Sequence, residues 1–205
     1  MGGVGAFGKM PSLGDFFRIN AVPSFVDPWD AWLQLSLATA QQRLGQRWKD
    51  CYMSAPIWRF TLSAGLAGPL TMQGVLMPSV DRVGRMFPLT IASPLPSDVD
   101  PSSAHTEAAA FFRALEDIAL ETLDGTMYRD ALKRQLTNVT PPPANVMKKL
   151  TSPLIKSQSI WSAELEQGPL MMTCKGLPTA TETCGLFDLG DPIWKTSPTL
   201  PEAIL

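Results

Sequence analysis

GVLMPSVDRVGRMFPLTIASPLP, residues 74–96, consists of two apolar runs with a charged knot between them. The first run stops at Pro78, the knot is Asp81-Arg82-Val83-Gly84-Arg85, and the second run resumes at Phe87. Apolar runs of strand length bounded by Gly and Pro read as core strands. A link this short makes them antiparallel neighbours, because a parallel return needs a crossover of a dozen or more residues. The first run belongs to a strand over Leu70–Met77 and the second to one over Phe87–Ala92. Ile57–Leu62, rich in aromatic and β-branched residues, is a third strand.

Helical signals flank this strand block. In DPWDAWLQLSLATAQQRLG, Asp27 can cap, Pro28 suits the first helical position and Gly45 can close. Trp29, Trp32, Leu33, Leu37, Ala40 and Leu44 recur there at helical spacing and predict one apolar face. A shorter helix covers Trp48–Met53. The stretch Ser102–Asp124 reads as one long helix with Phe112, Leu115, Ala119 and Leu123 on a stripe, and Gly125 ends it. Tyr128–Leu136 is a third helical segment. Pro141, Pro142 and Pro143 make a stiff extended connector. Ser159–Leu165 and Leu170–Cys174 read as a late hairpin around Gly168. Strands before and after the helices predict a single-domain α/β sandwich, a mixed and mostly antiparallel sheet with helices packed on its faces.

Composition narrows the function classes. The chain has 205 residues, 45% of them hydrophobic, enough for one domain with a substantial core. Its 17 basic and 19 acidic side chains leave a net charge of −2 with no basic block. Nucleic acid and anionic membrane both demand a clustered positive field, so neither is an expected partner. No apolar stretch approaches the ~18 residues of a membrane span, and no leader pattern is read at the start. Three cysteines at unpatterned spacing predict free thiols in a reducing compartment, with Cys174 and Cys184 as core or near-surface residues rather than ligands.

The opening GVGAFGKM invites a nucleotide reading. Gly3, Gly5 and Gly8 fit G-x-G-x-x-G, and Gly3, Gly8 and Lys9 fit all but the last letter of G-x-x-x-x-G-K-[ST]. The context argues against both. No strand is expected in the two residues ahead of Gly3, and Met10 stands where a hydroxyl should hold magnesium. Pro11 then biases Met10 away from the helical region. The segment Val4–Lys9 is expected instead to be a glycine-rich strand, followed by a turn through Pro11–Gly14.

Other chemistry is sparse. The single histidine, His105, sits near the predicted start of the long helix and is expected at the surface, since no serine or cysteine is placed beside it by sequence. Glu116–Asp117 and Glu164/Glu166 are expected on solvated faces. Trp29, Trp32, Trp48 and Trp58 are expected in the core rather than in a ligand box. No catalytic residue, cofactor site or metal site is predicted. The knot carries two arginines and an aspartate where a turn needs only polar residues. Asp81 could pair with Arg85 as a local staple, both arginines could pair with acids elsewhere on the chain, such as Asp15, and brace the N-terminal segment, or Asp81, Arg82 and Arg85 could form a partner-binding edge.

GAFGKMPSLGDFF, FVDPWDAWLQ, APIWRF and GVLMPSVDRVGRMFPL, in that order, resemble the TagF family (also called ImpM) of bacterial type VI secretion accessory proteins. The match is close from Gly5 to Leu95, follows pattern from Ser102 to Asn138, and is looser in IWSAELEQ and CKGLP. G-K-x-P-x-x-G-D-F is similar to the family's N-terminal signature, carried here by Gly8, Lys9, Pro11, Gly14, Asp15 and Phe16. The resemblance implies an α/β sandwich and a cytoplasmic regulator without enzymatic activity. It also implies repression after translation through binding of a forkhead-associated scaffold protein. The alternative is a small-molecule enzyme or nucleotide sensor using the glycine-rich opening. A melting scan with ATP, GTP and magnesium separates the two. A ligand at a hundred times its Kd stabilises by roughly 2.7 kcal/mol, so the regulator shows no shift, whereas a sensor shows a shift that Lys9→Ala abolishes.

Overall fold

Among the residues described by the computed structural model, 3–143, 147–150 and 157–195, seven strands form one sheet. They are β1 (Gly5–Gly8), β2 (Phe17–Ile19), β3 (Trp58–Leu62), β4 (Thr71–Met77), β5 (Leu89–Leu95), β6 (Gln158–Ala163) and β7 (Leu170–Lys175). Their order is β2-β1-β5-β4-β3-β6-β7, and every pairing of neighbours is antiparallel. The sandwich is as expected, with the sheet antiparallel throughout its named strands rather than mixed.

Six helices cover the two faces: α1 (Pro23–Leu44), α2 (Trp48–Ser54), α3 (Pro101–Glu107), α4 (Ala109–Glu121), α5 (Arg129–Asn138) and α6 (Ala180–Phe187). The period-2 alternation of the strands sorts their side chains between two cores. Trp58, Phe60, Leu62, Met72, Leu76 and Trp161 face α1, α2 and α6, where they meet Trp29, Leu33, Tyr52 and Phe187. Val75, Met77, Leu89 and Ile91 face α4 and α5, where they meet Phe112, Leu115 and Leu132.

The first core is built around Trp29. Its ring packs on Phe60 of β3 with centroids 4.9 Å apart, and its Nε1 donates to Thr90 Oγ1 of β5 at 2.9 Å. The indole therefore crosses β4 near Gly74, whose cross-strand partner is Ala92. A Cβ on Gly74 would lie 2.2 Å from the Ile91 carbonyl oxygen, so any side chain there would push β4 and β5 apart. The buried tryptophans bear out the core assignment for Trp29, Trp48 and Trp58. Trp32 is only half-buried and donates through Nε1 to the Pro178 carbonyl.

Several boundaries differ from the sequence reading. α1 begins at Pro23, not at Asp27. Pro23 supplies the fixed φ of the first helical position, and Phe25 and Val26 are buried, so packing extends the helix back past the expected cap. Asp27 instead pairs with Arg18 at 3.4 Å. The predicted long helix is two, broken at Ala108 (φ −102°, ψ 16°). The break lets α3 turn polar residues to the sheet while α4 presents Phe112 and Leu115; Leu123, beyond α4 in a 3-10 turn, is exposed. β2 and α6 were not expected. The thiols of Cys174 and Cys184 are buried and free.

Leu33 is fully buried against the sheet, whereas Leu35 on the same helix is exposed. Leu33→Ala is expected to cost on the order of 2–5 kcal/mol in urea unfolding, and Leu35→Ala within about 0.5 kcal/mol. Equal costs would show the helix face to be assigned wrongly.

Candidate functional site

The knot is carried on the β4–β5 connection, whose base is closed by a Val80–Met86 bridge and a Phe87 N–H to Ser79 C=O bond of 3.1 Å. Tyr52 of α2 pins the same base, donating its hydroxyl to the Ser79 carbonyl and accepting from the Ser79 N–H. Gly84 turns the loop at φ 83°, where its N–H reaches the Asp81 carbonyl at 2.8 Å; other residues resist this conformation.

Asp81 lies inside this loop, at 2% exposure. Its Oδ1 accepts from the Val83 and Arg85 N–H groups at 3.0 and 2.9 Å. Its Oδ2 takes Arg85 Nε at 2.6 Å and Lys9 Nζ at 3.0 Å. Burial works against ionisation, but the Arg85 N–H, Lys9, the Arg85 guanidinium and the Val83 N–H outweigh it. The carboxyl is held well below the ordinary carboxylate range. Asp81 therefore braces the loop from within and has no free oxygen for a partner.

Lys9, the residue that suggested a phosphate loop, is spent here. It is buried, paired with Asp81, and lies 4.9 Å over the Phe16 ring. Gly8 ahead of it has φ 133°, and a Cβ there would lie 2.1 Å from the Pro88 carbonyl oxygen. The opening glycines allow β1 to lie close against its neighbours, as the strand reading expects.

The arginines divide. Arg85 uses Nε on Asp81 and Nη2 on the Gly14 carbonyl, 2.5 Å away, while over half of its side chain stays exposed. Arg82 is exposed; its N–H donates to Leu13 C=O at 2.8 Å, and its guanidinium lies against Gly14, where a Cβ would come 3.4 Å from Nη2. Among the described residues its guanidinium has no acceptor. Asp15, the suggested alternative partner, caps its neighbour's Phe16 N–H instead. The staple is therefore real for Asp81 and Arg85, and the Arg82 guanidinium is left without an acceptor among the described residues.

A second polar cluster lies under α3. His105 is buried at 7% exposure, contrary to the surface placement expected for it. Its Nδ1 lies 2.9 Å from Thr61 Oγ1 of β3 and its Nε2 lies 2.8 Å from Ser162 Oγ of β6. Sequence spacing could not show this meeting, because β3 and β6 become neighbours only in the folded sheet. Arg59, next to Thr61 on the same face of β4's neighbour strand, forks onto Glu116 at 2.7 and 2.9 Å and reaches Glu164 at 2.8 Å. Glu116 thus faces a guanidinium rather than solvent.

A histidine nitrogen at 2.8 Å from a serine hydroxyl has the spacing of a nucleophile and its base. Here the second nitrogen meets a hydroxyl instead of an orienting carboxylate. Burial, with Arg59 nearby, pushes the ring down from 6.5 to about 4, which makes it a weak base. Ser162 lies within a strand paired on both sides. The arrangement acts as a polar clip holding α3 on the sheet, joined by Gln73 Nε2 donating to the Ala104 carbonyl. No group of three or more His, Cys, Asp and Glu is gathered for a metal ion among the described residues.

The fold and the site together define a helix-covered antiparallel sandwich that presents a braced cationic loop at one end of its sheet. The chain belongs to the TagF family: the family model for the TagF N-terminal domain, type VI secretion system-associated, matches residues 5–139. It is also similar to the crystal structure of PA0076 from Pseudomonas aeruginosa PAO1, with a TM-score of 0.80 and 29% identity. That likeness covers 98% of this chain and 99% of the other, so it extends past the family match into β6, β7 and α6. No curated protein matches the chain.

Between pH 6.5 and about 4 the unfolded chain takes up a proton at His105 that the folded chain refuses, so stability falls as pH falls through that window. In His105→Gln this contribution is absent. Its urea midpoint is expected to fall less steeply from pH 7 to 4.5 than that of the wild type, although the variant is the weaker protein at pH 7. Parallel pH profiles would remove the clip from the acid response.

Proposed function

We propose that this chain regulates type VI secretion without catalysing a reaction, acting in the cytoplasm after translation. In this reading it binds the forkhead-associated scaffold protein of the system and represses assembly. The observation that carries the reading is the knot. A buried carboxylate fixes the base of the loop, and Arg82 on that loop is exposed without an internal acceptor for its guanidinium among the described residues. An exposed guanidinium without an internal acceptor is available to an acidic group on a protein surface. Membership in a secretion-associated family supports the setting. No helix among the described residues is long and apolar enough to cross a membrane. The buried pairing of Lys9 with Asp81 weighs against the nucleotide-sensor reading.

The test uses charge reversal at Arg82 alone, because reversing Arg85 would break its pair with Asp81 and report on folding. Arg82→Glu is expected to keep the wild-type melting temperature and circular dichroism while losing capture of the purified scaffold and repression of secretion. Phe87→Ala, which empties a buried aromatic site, is expected to lose stability and binding together. A stable Arg82→Glu that binds and represses normally would remove the knot as the site. Failure of the wild-type protein to capture the scaffold would remove the partner.

A further inference from the structure

Among the described residues, five buried side-chain oxygens have no hydrogen-bond partner within the protein: Thr71 Oγ1, Gln73 Oε1, Ser79 Oγ, Ser93 Oγ and Gln135 Oε1. Ser79 lies at the base of the knot and Gln135 on α5, but the other three are neighbours. Gln73 of β4 and Ser93 of β5 are directly opposed across the ladder, and Thr71 stands two residues along β4 on the same face. Opposed side chains have their Cβ atoms about 5 Å apart, and diagonal ones about 7–8 Å. Thr71, Gln73 and Ser93 are closed off from bulk solvent, at 1%, 0% and 0% exposure. Buried polar groups are rarely left unpaired, so three side by side call for a common partner.

The orientation of the Gln73 amide is fixed by its surroundings. Its Nε2 donates to the Ala104 carbonyl at 2.7 Å and to Thr61 Oγ1 at 3.4 Å. The Ala104 oxygen can only accept, so the nitrogen must face it and Oε1 must face elsewhere. Oε1 in turn can only accept, and neither the Thr71 nor the Ser93 hydroxyl reaches it. We propose that an ordered internal water sits between Thr71, Gln73 and Ser93 beneath α3, donating to Gln73 Oε1 and bridging it to the two hydroxyls. The chemistry of the three oxygens selects this ligand. The occupant must donate to an amide oxygen and either donate to or accept from hydroxyls, which a water does with two protons and two lone pairs. At ~2.8 Å per hydrogen bond a bridging water spans about 5.5 Å, the scale of an opposed pair. An ion fits poorly, because all three groups are neutral and none offsets a charge in a closed interior. Buried Leu95, opposite Thr71, and buried Ala104 close the site against larger solutes. By holding Oε1, the water fixes the amide whose nitrogen carries the Ala104 carbonyl, and so forms part of what keeps α3 on the sheet.

The experiment is a crystal structure of the full chain at a resolution that shows ordered solvent, paired with amide hydrogen exchange in solution. The wild type is expected to show a water within hydrogen-bond distance of Gln73 Oε1 and of at least one of the two hydroxyls. A hydroxyl donating straight to Gln73 Oε1, or no density between the three atoms, would overturn the site. Thr71→Val with Ser93→Ala keeps the shape of the first side chain, trims the second, and leaves the water a single protein partner. The crystal structure of this double variant is expected to lack the water. Its amides at His105 and Thr106 in α3 are expected to exchange at least tenfold faster than in the wild type, while those of Leu115 and Ile118 in α4 keep their rates. Equal α3 exchange in the two proteins would overturn the role of the water in holding the helix. Faster exchange in α3 and α4 alike would overturn it too, because the loss would then be one of global stability.

Discussion

The Asp81 carboxylate sits with its charge almost completely covered by protein, and four donors from two separate parts of the chain converge on it. Lys9 comes from the end of β1 and Arg85 from the far side of the loop, so one anion ties the N-terminal strand to the β4–β5 connection. Removing either cation would leave a buried charge short of a partner, a loss that costs far more than an exposed ion pair contributes. Phe7, Phe16 and Phe87 pack around the same point with centroid distances of 4.7 to 6.2 Å.

The second polar centre has a different role. Thr61, His105 and Ser162 join three elements that are far apart in sequence, and each partner of the ring is a hydroxyl able to donate or accept. Beside them, Arg59 is satisfied by two glutamates in a partly buried setting, with its guanidinium 5.8 Å from the Phe112 ring. The polar residues of β3 fall on one face and its aromatic residues on the other, so the strand divides its alternation between an apolar core and a hydrogen-bonded one. α3 is short and lies on this polar face rather than on an apolar stripe, which is why it needs the clip.

Much of this was legible in the residues. The two apolar runs around the knot, the strand over 57–62 and the apolar face of the first long helix each carry their period openly, and all are present. The thinner signals were lost for physical reasons. β2 has three residues, too few to show alternation, and it exists because Gly5–Gly8 offers an edge beside it. α6 had a readable start, since Thr179 and Glu182 form a capping box, but its apolar content is not periodic enough to stand out. The break at Ala108 has no Gly or Pro to announce it. At the site, the pairing of Asp81 with Arg85 follows from local spacing. The approach of Lys9 and the burial of His105 depend on strand order, which the sequence pattern leaves open.

The strand order also governs how the chain must assemble. β3, β4 and β5 are consecutive antiparallel neighbours joined by short links, so their contacts close small loops. Both flanks are grafted on from the ends of the chain: β1 pairs with β5 across the whole of α1, α2, β3 and β4, and β6 pairs with β3 across α3, α4 and α5. Such non-local pairings pay their loop-closure entropy before any contact repays it, which places the central meander early and both flanks late. During synthesis the β1–β2 hairpin is made before β5, the strand that joins it to the sheet. Until then Lys9 remains hydrated, and the aromatic ring of Phe7 has only its own hairpin for cover. The ion pair that later locks the loop thus joins a cation made early to an anion made late, with the hairpin waiting on the strand that completes it.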